Sequence, residues 1–560
     1  MRLRPARGTP ADRGSDVAGD AAVTGVERFD EDEVVLPRWI RRLARTDPDR
    51  PFLRDVSGAR ATLAEFDRDV QTWSDALRSC AVGRGSHVVT MLESSVPSFA
   101  AWMGIAWTGA VEVPINVDLF GRVLEHQLAV AQPRVMVIAA RSLEHVVAAA
   151  ADLTGLERIV VVGELPEVPA SWRSRVVEVE EFLRTAAPAD AAPWEGPARH
   201  DIASIMYTSG TTGPSKGVLM PWAQLHAAAH VTARMVARGP VPHKVLYVNG
   251  PPNHVQAKGA VAAMALVGGE VLLRHTFSTH NFWAEIAEHG VTDTSLVGAM
   301  AAFLMAQPGS PRDEETTLSN VLMAPLGPTA AEFSERFGVQ AWSAYNMTEI
   351  SVPTVLDDWE PGVEPSCGRL REGYPHYEAR VVDEHDQEVA AGEVGELIVR
   401  TGVPWTLNAG YLDMPEATAD AWRNGWFHTG DAFRQDENGY FHFVDRLKDT
   451  IRRRGENISS FEVEAEVTAH EGVAECAAIA VPSEFAEDEI KVVVVARDGQ
   501  SPTATELVEF LATRVPRHMV PRYVEFVDAL PKTPTLRVQK ALLSRSVAAQ
   551  DGVWDATASR

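Results

Sequence analysis

Between residues 87 and 297 the chain keeps returning to short runs of strand length, most of them apolar throughout: HVVTML, VMVIAA, RIVVVG, KVLYVNG, EVLLR and TDTSLVG. Segments of helical periodicity separate them. A strand that is apolar on both faces must be covered on both faces, and the intervening helices supply the cover. The pattern therefore predicts parallel sheets layered with helices, an α/β fold. The most apolar stretch, FAAWMGIAWTGAVEVP, is interrupted by Thr108, two glycines and Glu112. It is too short and too broken to span a membrane, and it predicts a buried helix feeding a strand.

The texture changes after Cys367. EARVVDEHDQEV and GELIVRTG alternate apolar and polar residues, as half-exposed antiparallel strands do, and GYFHFVDRLKDTI predicts a further strand pair. Beyond it come a helix starting after Ser459 and Ser460, a strand VVVVARDG, and a helix TATELVEFLATRV with Thr503 or Thr505 near its cap. A chain of 560 residues exceeds a single ordinary core. The expected organisation is a disordered lead over 1–28, a large domain of helix-covered sheets plus a β-subdomain over 29–446, a small mobile α+β domain over 447–545, and a tail over 546–560.

A net charge of −25 argues against nucleic acid as a partner and requires that any anionic substrate meet a local positive pocket. The three cysteines, Cys80, Cys367 and Cys476, are too far apart for a metal cluster or a disulfide framework, which fits a reducing cytoplasm. The N-terminal arginines have no apolar run behind them, unlike a secretory signal.

Lysine is scarce: seven occur, against 45 arginines. One of them, Lys216, sits in YTSGTTGPSKGV, after the strand-like IASIMYT. Glycines such as Gly210 and Gly213 let a backbone approach phosphate oxygens closely. Thr208, Ser209, Thr211 and Thr212 offer hydroxyl donors, and Lys216 offers a compact charge. The chemistry is that of a phosphate cradle. The usual P-loop places Gly-Lys-Ser/Thr after four residues; here Ser215 precedes Lys216 and Gly217 follows, so the loop is of another kind. His226 and His230 stand four apart on an expected helix, with no third ligand nearby, and are read as ordinary helix residues.

That loop resembles the signature of the adenylate-forming superfamily of acyl-CoA synthetases, aryl-CoA ligases, luciferases and adenylation domains. Further motifs follow in the family's order: YNMTE at 345–349, GELIVR at 395–400, GWFHTGD at 425–431, DRLKDTIRRRGENIS at 445–459 and LPKTPT at 530–535. The resemblance covers nearly the whole chain from about residue 30. RRRGENISS and FSTHNFW look most like carnitine-type and medium-chain acyl-CoA ligases.

The resemblance implies ATP-dependent activation of a small acid to an adenylate, with release of pyrophosphate, then transfer to a thiol, usually coenzyme A. Transfer to an amine or a free-standing carrier protein, an unusual acid such as nitrite, and a non-catalytic nucleotide-binding protein are the alternatives. A homodimer is compatible with each. By the same resemblance Tyr345 faces adenine, with Asn346 (commonly Gly in the family) and Thr348 beside it, and Glu349 holds Mg²⁺. Asp431 accepts from the ribose hydroxyls, or else pairs with Arg446, which touches the ribose or α-phosphate. Gly327 and Pro328 line the adenine face. Lys448 is the interdomain hinge, and Gly455 borders the pantetheine channel. His254 and the stretch around Gly298 shape the acid pocket. The family's final lysine falls on Arg537, with Lys540 as the rival cation and Lys532 the weaker option.

Overall fold

The computed structural model describes residues 29–557 except 151–152, 154, 186–194, 209–214, 298–299, 310–312, 325, 327–329, 358–365, 448–450, 454–455, 483–487, 516, 518, 534–537 and 549–550. The expected lead, 1–28, lies outside the described residues.

Two large sheets form as the apolar runs require. One has seven strands in the order Val176–Glu178, Arg158–Val162, Val135–Ala139, His87–Met91, Val111–Pro114, Ile202–Thr208 and Lys216–Pro221. All neighbours are parallel except the last pair, which is a hairpin. The other has nine strands: Arg369–Leu370, Ser351–Leu356, Gln340–Met347, Asn320–Ala324, Asp293–Val297, Val245–Val248, Glu270–Leu273, Pro51–Asp55 and Arg60–Thr62. Its middle is parallel and its edges antiparallel.

The helices Val96–Thr108, Trp222–Arg238 and Val255–Val267 are buried around most of their circumference, as apolar all-round helices must be. One apolar cluster runs from Val88 and Val137 of the seven-stranded sheet, through Trp102, Leu225 and Val261, to Leu246 and Val271 of the nine-stranded sheet. Gly109 and Gly268 end two of these helices in the left-handed conformation, φ 84° and 83°, which turns the chain at once towards the next strand.

Tyr377–Val382, Val394–Thr401, Phe427–Gln435 and Phe441–Arg446 form an antiparallel sheet. Its core of Leu397, Phe427, Phe433 and Phe441 is continuous with Tyr345 and Ile350 of the nine-stranded sheet. The strand pair expected from GYFHFVDRLKDTI is two separate strands. Phe441–Arg446 belongs to this sheet, whereas Ile451–Arg453 pairs with Glu456–Ile458. Phe441 is buried in one core and Ile451 in another, so pairing them together would leave one side chain without its core.

The last sheet contains Val473–Pro482, Asp488–Ala496, Tyr523–Phe526 and Val553–Asp555. The helices Ser460–Thr468 and Ala504–Ala512 are capped by Ser459 and Thr503, the latter in a reciprocal box with Glu506, and share an apolar core with this sheet. The segment expected as a tail supplies its fourth strand. Val553–Asp555 pairs with Tyr523–Glu525, and the buried Lys491 ammonium holds the carbonyls of Ser544 and Ser546 at 2.9 and 2.7 Å. No helix among the described residues is long and apolar enough to cross a membrane.

His226 and His230 lie on the helix Trp222–Arg238, packed edge-on against Phe29. The Tyr374 hydroxyl is 3.0 Å from His226 Nδ1, and the buried Nε2 has no hydrogen-bond partner among the described residues. Burial pushes this imidazole down to about 3. The unfolded chain protonates it near its ordinary 6.5 while the fold resists, so its contribution to stability is complete above about pH 6.5 and is lost as pH falls towards 3. His226→Asn is expected to flatten the fall of Tm between pH 6.5 and 4, where the histidine costs up to ~1.4 kcal/mol per pH unit. Parallel Tm–pH profiles for the two proteins would contradict this.

Candidate functional site

Thr208 and Lys216 are the last register partners of the antiparallel pair Ile202–Thr208 and Lys216–Pro221. Of the expected cradle, Ser209, Gly210, Thr211, Thr212 and Gly213 lie outside the described residues. Both flanks of the loop are tied to the helix Gly121–Ala131. Tyr207 donates to the Gln127 carbonyl at 2.9 Å, and the Gln127 amide donates to Ser215 Oγ at 3.2 Å. The lysine opens a strand rather than a helix, so the helix N-terminus that serves many phosphate loops has no part here.

A segment that the sequence motifs left unassigned joins this hairpin to Glu349. Residues 409–412 run beside the strand Lys216–Pro221 through Ala409 N to Leu219 O, Leu219 N to Gly410 O and Leu412 N to Gly217 O, at 2.9, 3.0 and 2.8 Å. Just before it, Asn408 gives both its backbone and side-chain N–H to the Glu349 carbonyl, each at 3.0 Å. Tyr411 completes the connection: its hydroxyl donates to Glu349 Oε1 at 3.3 Å, and Lys216 Nζ lies 4.7 Å from its ring centroid. Gly410 has φ 113°, and a Cβ there would stand 2.8 Å from Thr418 Cγ2. Only glycine delivers Tyr411 to this place. The sequence signal was slight, a scarce tyrosine after a glycine in LNAGYLDM.

Glu349 sits in the turn between Gln340–Met347 and Ser351–Leu356 and is 6% exposed. Burial raises its carboxyl, opposed by the Tyr411 hydroxyl and by the charges of Arg446 and Lys216. A buried carboxylate oxygen of this kind suits Mg²⁺, which needs one or two carboxylates and completes its shell with waters and phosphate oxygens. No group of three or more His, Cys, Asp or Glu able to hold a metal occurs among the described residues. Thr348 next to it offers its carbonyl to Gln224 Nε2 at 2.7 Å. Asn346 is exposed.

Tyr345 and Asp431 are brought together by the shared core of the two sheets. Tyr345 donates to Asp431 Oδ2 at 2.7 Å and packs edge-on against Phe433. Burial, with the adjacent Asp431, holds its phenol well above the ordinary value. Asp431 and Arg446 are register partners on neighbouring strands, with Nε 3.5 Å from Oδ1. The pairing weighed from the sequence is therefore present. His254 is the N-cap residue of Val255–Val267, and burial lowers its imidazole, which favours the neutral ring. Gly298, Gly327 and Pro328 lie outside the described residues.

The C-terminal cations divide. Lys540 Nζ pairs with Glu464 Oε1 at 2.7 Å and bonds the Ser460 hydroxyl, and Lys532 pairs with Glu475 at 2.5 Å. Arg537, Lys448 and Gly455 lie outside the described residues.

Tyr411→Phe removes a hydrogen bond to a carboxylate, and Tyr411→Leu removes the ring beneath Lys216 as well. Phe is expected to weaken Mg-ATP binding about tenfold and Leu further, since such bonds contribute about 1.5–3 kcal/mol and a cation–π contact about 0.5–1 kcal/mol or more. Titration calorimetry with Mg-ATP checks the order; equal affinity in all three proteins would refute the bridge.

Residues 40–412 match the family model described as AMP-binding enzyme, and 462–536 match that of the AMP-binding enzyme C-terminal domain. A crotonobetaine/carnitine–CoA ligase of Salmonella paratyphi A is 30% identical over 494 residues, covering 85% of this chain and 92% of that protein. ATP-bound MatB from Rhodopseudomonas palustris superimposes with a TM-score of 0.77 at 25% identity, over 91% of this chain and 98% of that one. An anthranilate CoA ligase, AuaEII, in complex with anthranoyl-AMP has the same fold, with a TM-score of 0.79 at 22% identity, over 90% and 96% of the two chains. With the match over residues 40–412 taking in Lys216, Tyr345, Glu349 and Tyr411, this chain belongs to the AMP-binding enzyme family.

Proposed function

We propose that this protein is an AMP-forming acid–thiol ligase that activates a small carboxylic acid with ATP and passes the acyl group to coenzyme A. The observation that supports this most is the bridge by Tyr411, which meets the lysine that follows the glycine-rich loop over its ring and a buried carboxylate at its hydroxyl. A carboxylate oxygen of the acid attacks the α-phosphorus, the bond to the bridging oxygen breaks, and pyrophosphate leaves. A thiol then attacks the acyl carbon, the bond to the AMP oxygen breaks, and the thiol proton passes to solvent. The named CoA ligases favour coenzyme A over an amine or a carrier protein as acceptor.

Positioning and charge stabilisation supply most of such catalysis. Lys216 and the loop hydroxyls hold the β- and γ-phosphates. Mg²⁺, held by Glu349, supplies neutralisation of phosphate charge. Asp431 turns its oxygens to the ribose hydroxyls, and Arg446, already beside it, reaches the ribose or α-phosphate. Neutral His254 orients the acid without adding charge. Lys448 acts as the hinge on which the small domain, from about residue 447, rotates between the half-reactions, and Gly455 leaves room for the pantetheine arm.

Arg537 is assigned as the cation of the adenylation step. Lys540 is held by the half-buried carboxylate of Glu464, and withdrawing it would leave Glu464 without its cation. Arginine keeps the charge of the family's lysine in a planar fork.

A pyrophosphate-release screen over a panel of acids, with and without coenzyme A, tests the function. Acid-dependent release is expected, with sustained turnover and thioester formation only when coenzyme A is present. Release without acid dependence, or turnover indifferent to coenzyme A, would refute it. Arg537→Ala is expected to slow adenylate formation about 100-fold, the scale of one lost charge-stabilising donor, with transfer from preformed adenylate near normal. Lys540→Ala is expected to lower Tm and leave single-turnover adenylation close to wild type; the reverse pattern would exchange the two roles.

A further inference from the structure

Two charges lie in the middle of the large domain, away from the phosphate hairpin. Lys258 is 1% exposed and Glu112 3%, with Nζ 2.6 Å from Oε2. Glu112 Oε1 accepts from Thr90 Oγ1 at 2.9 Å, and Oε2 also accepts from Ser204 Oγ at 2.8 Å. Lys258 Nζ lies 3.7 Å from the Trp102 ring centroid, and Trp102 donates to the Ala203 carbonyl at 3.1 Å. Every partner sits on a different layer element. Thr90 is on the strand His87–Met91, Glu112 on Val111–Pro114, Ser204 on Ile202–Thr208 and Lys258 on the helix Val255–Val267.

Burying two charges costs several kcal/mol each, and well-packed apolar residues often serve stability equally well. Stability alone is thus a weak reason for this pair. Its location supplies a better one. Four residues before Lys258, one turn or ~6 Å along the helix, is the N-cap His254, to which the proposed function gives the orientation of the acid. Four residues after Ser204, ~13 Å along the strand, is Thr208 at the mouth of the phosphate hairpin. The helix belongs to the layer between the two sheets, and the strand to the seven-stranded sheet. Nothing covalent nearby fixes one against the other.

We propose that Glu112 and Lys258 are a positioning pair for adenylation, a cross-layer tie that sets the acid-pocket helix against the phosphate-loop strand. The proposal rests on the adenylating function given above. In that reaction the acid carboxylate must come within about 3–3.5 Å of the α-phosphorus, and small misplacements cost rate steeply. The pair touches no substrate; it acts through the two elements that do.

Ser204→Ala and Thr90→Val test this. Each removes one neutral hydrogen bond to Glu112, but only Ser204 lies on the strand that carries the phosphate hairpin. The two variants are expected to lose similar amounts of Tm. Ser204→Ala should lower single-turnover adenylation kcat about 5–10-fold with little change in KM for ATP, while Thr90→Val stays within about twofold of wild type. Transfer from preformed adenylate should be unchanged in both. The double variant Glu112→Gln, Lys258→Met removes both charges; if it folds, it should show a larger adenylation loss at near-normal Tm. Adenylation that tracks Tm alike in Ser204→Ala and Thr90→Val would overturn the proposal, as would wild-type adenylation in Ser204→Ala or in a folded double variant. A wild-type protein that releases no pyrophosphate with any acid would overturn the adenylation function and this inference together.

Discussion

Helices covered on both sides hold this molecule together. Val96–Thr108, Trp222–Arg238 and Val255–Val267 have almost no solvent-facing stripe, so two sheets must close over them. That closure dictates the rest of the large domain. It brings Ser94, just past His87–Met91, against His275, just past Glu270–Leu273, at the C-terminal ends of the strands, where ligand sites in open α/β sheets form. It also forbids unpaired charge within the layer. The one lysine that enters it, Lys258, meets Glu112 and the face of Trp102, because an ammonium cannot remain buried without such company.

The antiparallel sheet is attached by a second apolar continuity, in which Tyr345 and Ile350 share a core with Phe427, Phe433 and Phe441. This contact places Asp431 against Tyr345, although the two are far apart in the chain. The same strand pairing sets Arg446 opposite Asp431. Two residues with the chemistry to meet a ribose and a phosphate thus arrive at one place by register alone. Register is strongly specified here because a slip of one residue would turn Phe433 out of the core.

What the sequence made legible follows from which signals are local. The apolar strands, the strand Ile202–Thr208 before the glycine-rich loop and the helix with Thr503 at its cap all rest on short-range pattern, and they appear where that pattern puts them. Resemblance placed Tyr345, Glu349, Asp431 and Arg446 in order, and the fold brings the first and last two of these into contact. Long-range pairing was illegible. Tyr411 shows no periodicity and no charge, and its role exists only because residues 409–412 lie beside the strand Lys216–Pro221. The strand Val553–Asp555 was missed for a similar reason: three residues are too few to show alternation, and their partner is Tyr523–Phe526, a separate run of chain. The split of GYFHFVDRLKDTI into two sheets depends on two cores competing for one short segment.

The joint between the antiparallel sheet and the last sheet is held by a small set of polar contacts. Asp445, at the end of Phe441–Arg446, accepts from both the backbone N–H and the hydroxyl of Ser460 through Oδ2, each at 2.6 Å, while Ser459 donates to the Val444 carbonyl at 2.5 Å. These bonds span residue 448 and cap the first turn of the helix Ser460–Thr468. Lys540 bonds the same Ser460 hydroxyl and pairs with Glu464 one turn along. A rotation about residue 448 that separates the two sheets would break the Asp445–Ser460 and Ser459–Val444 bonds, leaving a buried carboxylate to find new partners while Ser459 still accepts from the Glu462 N–H. The Lys540–Glu464 pair lies wholly beyond residue 448, so a rotation there would leave it intact while breaking the Asp445–Ser460 bonds.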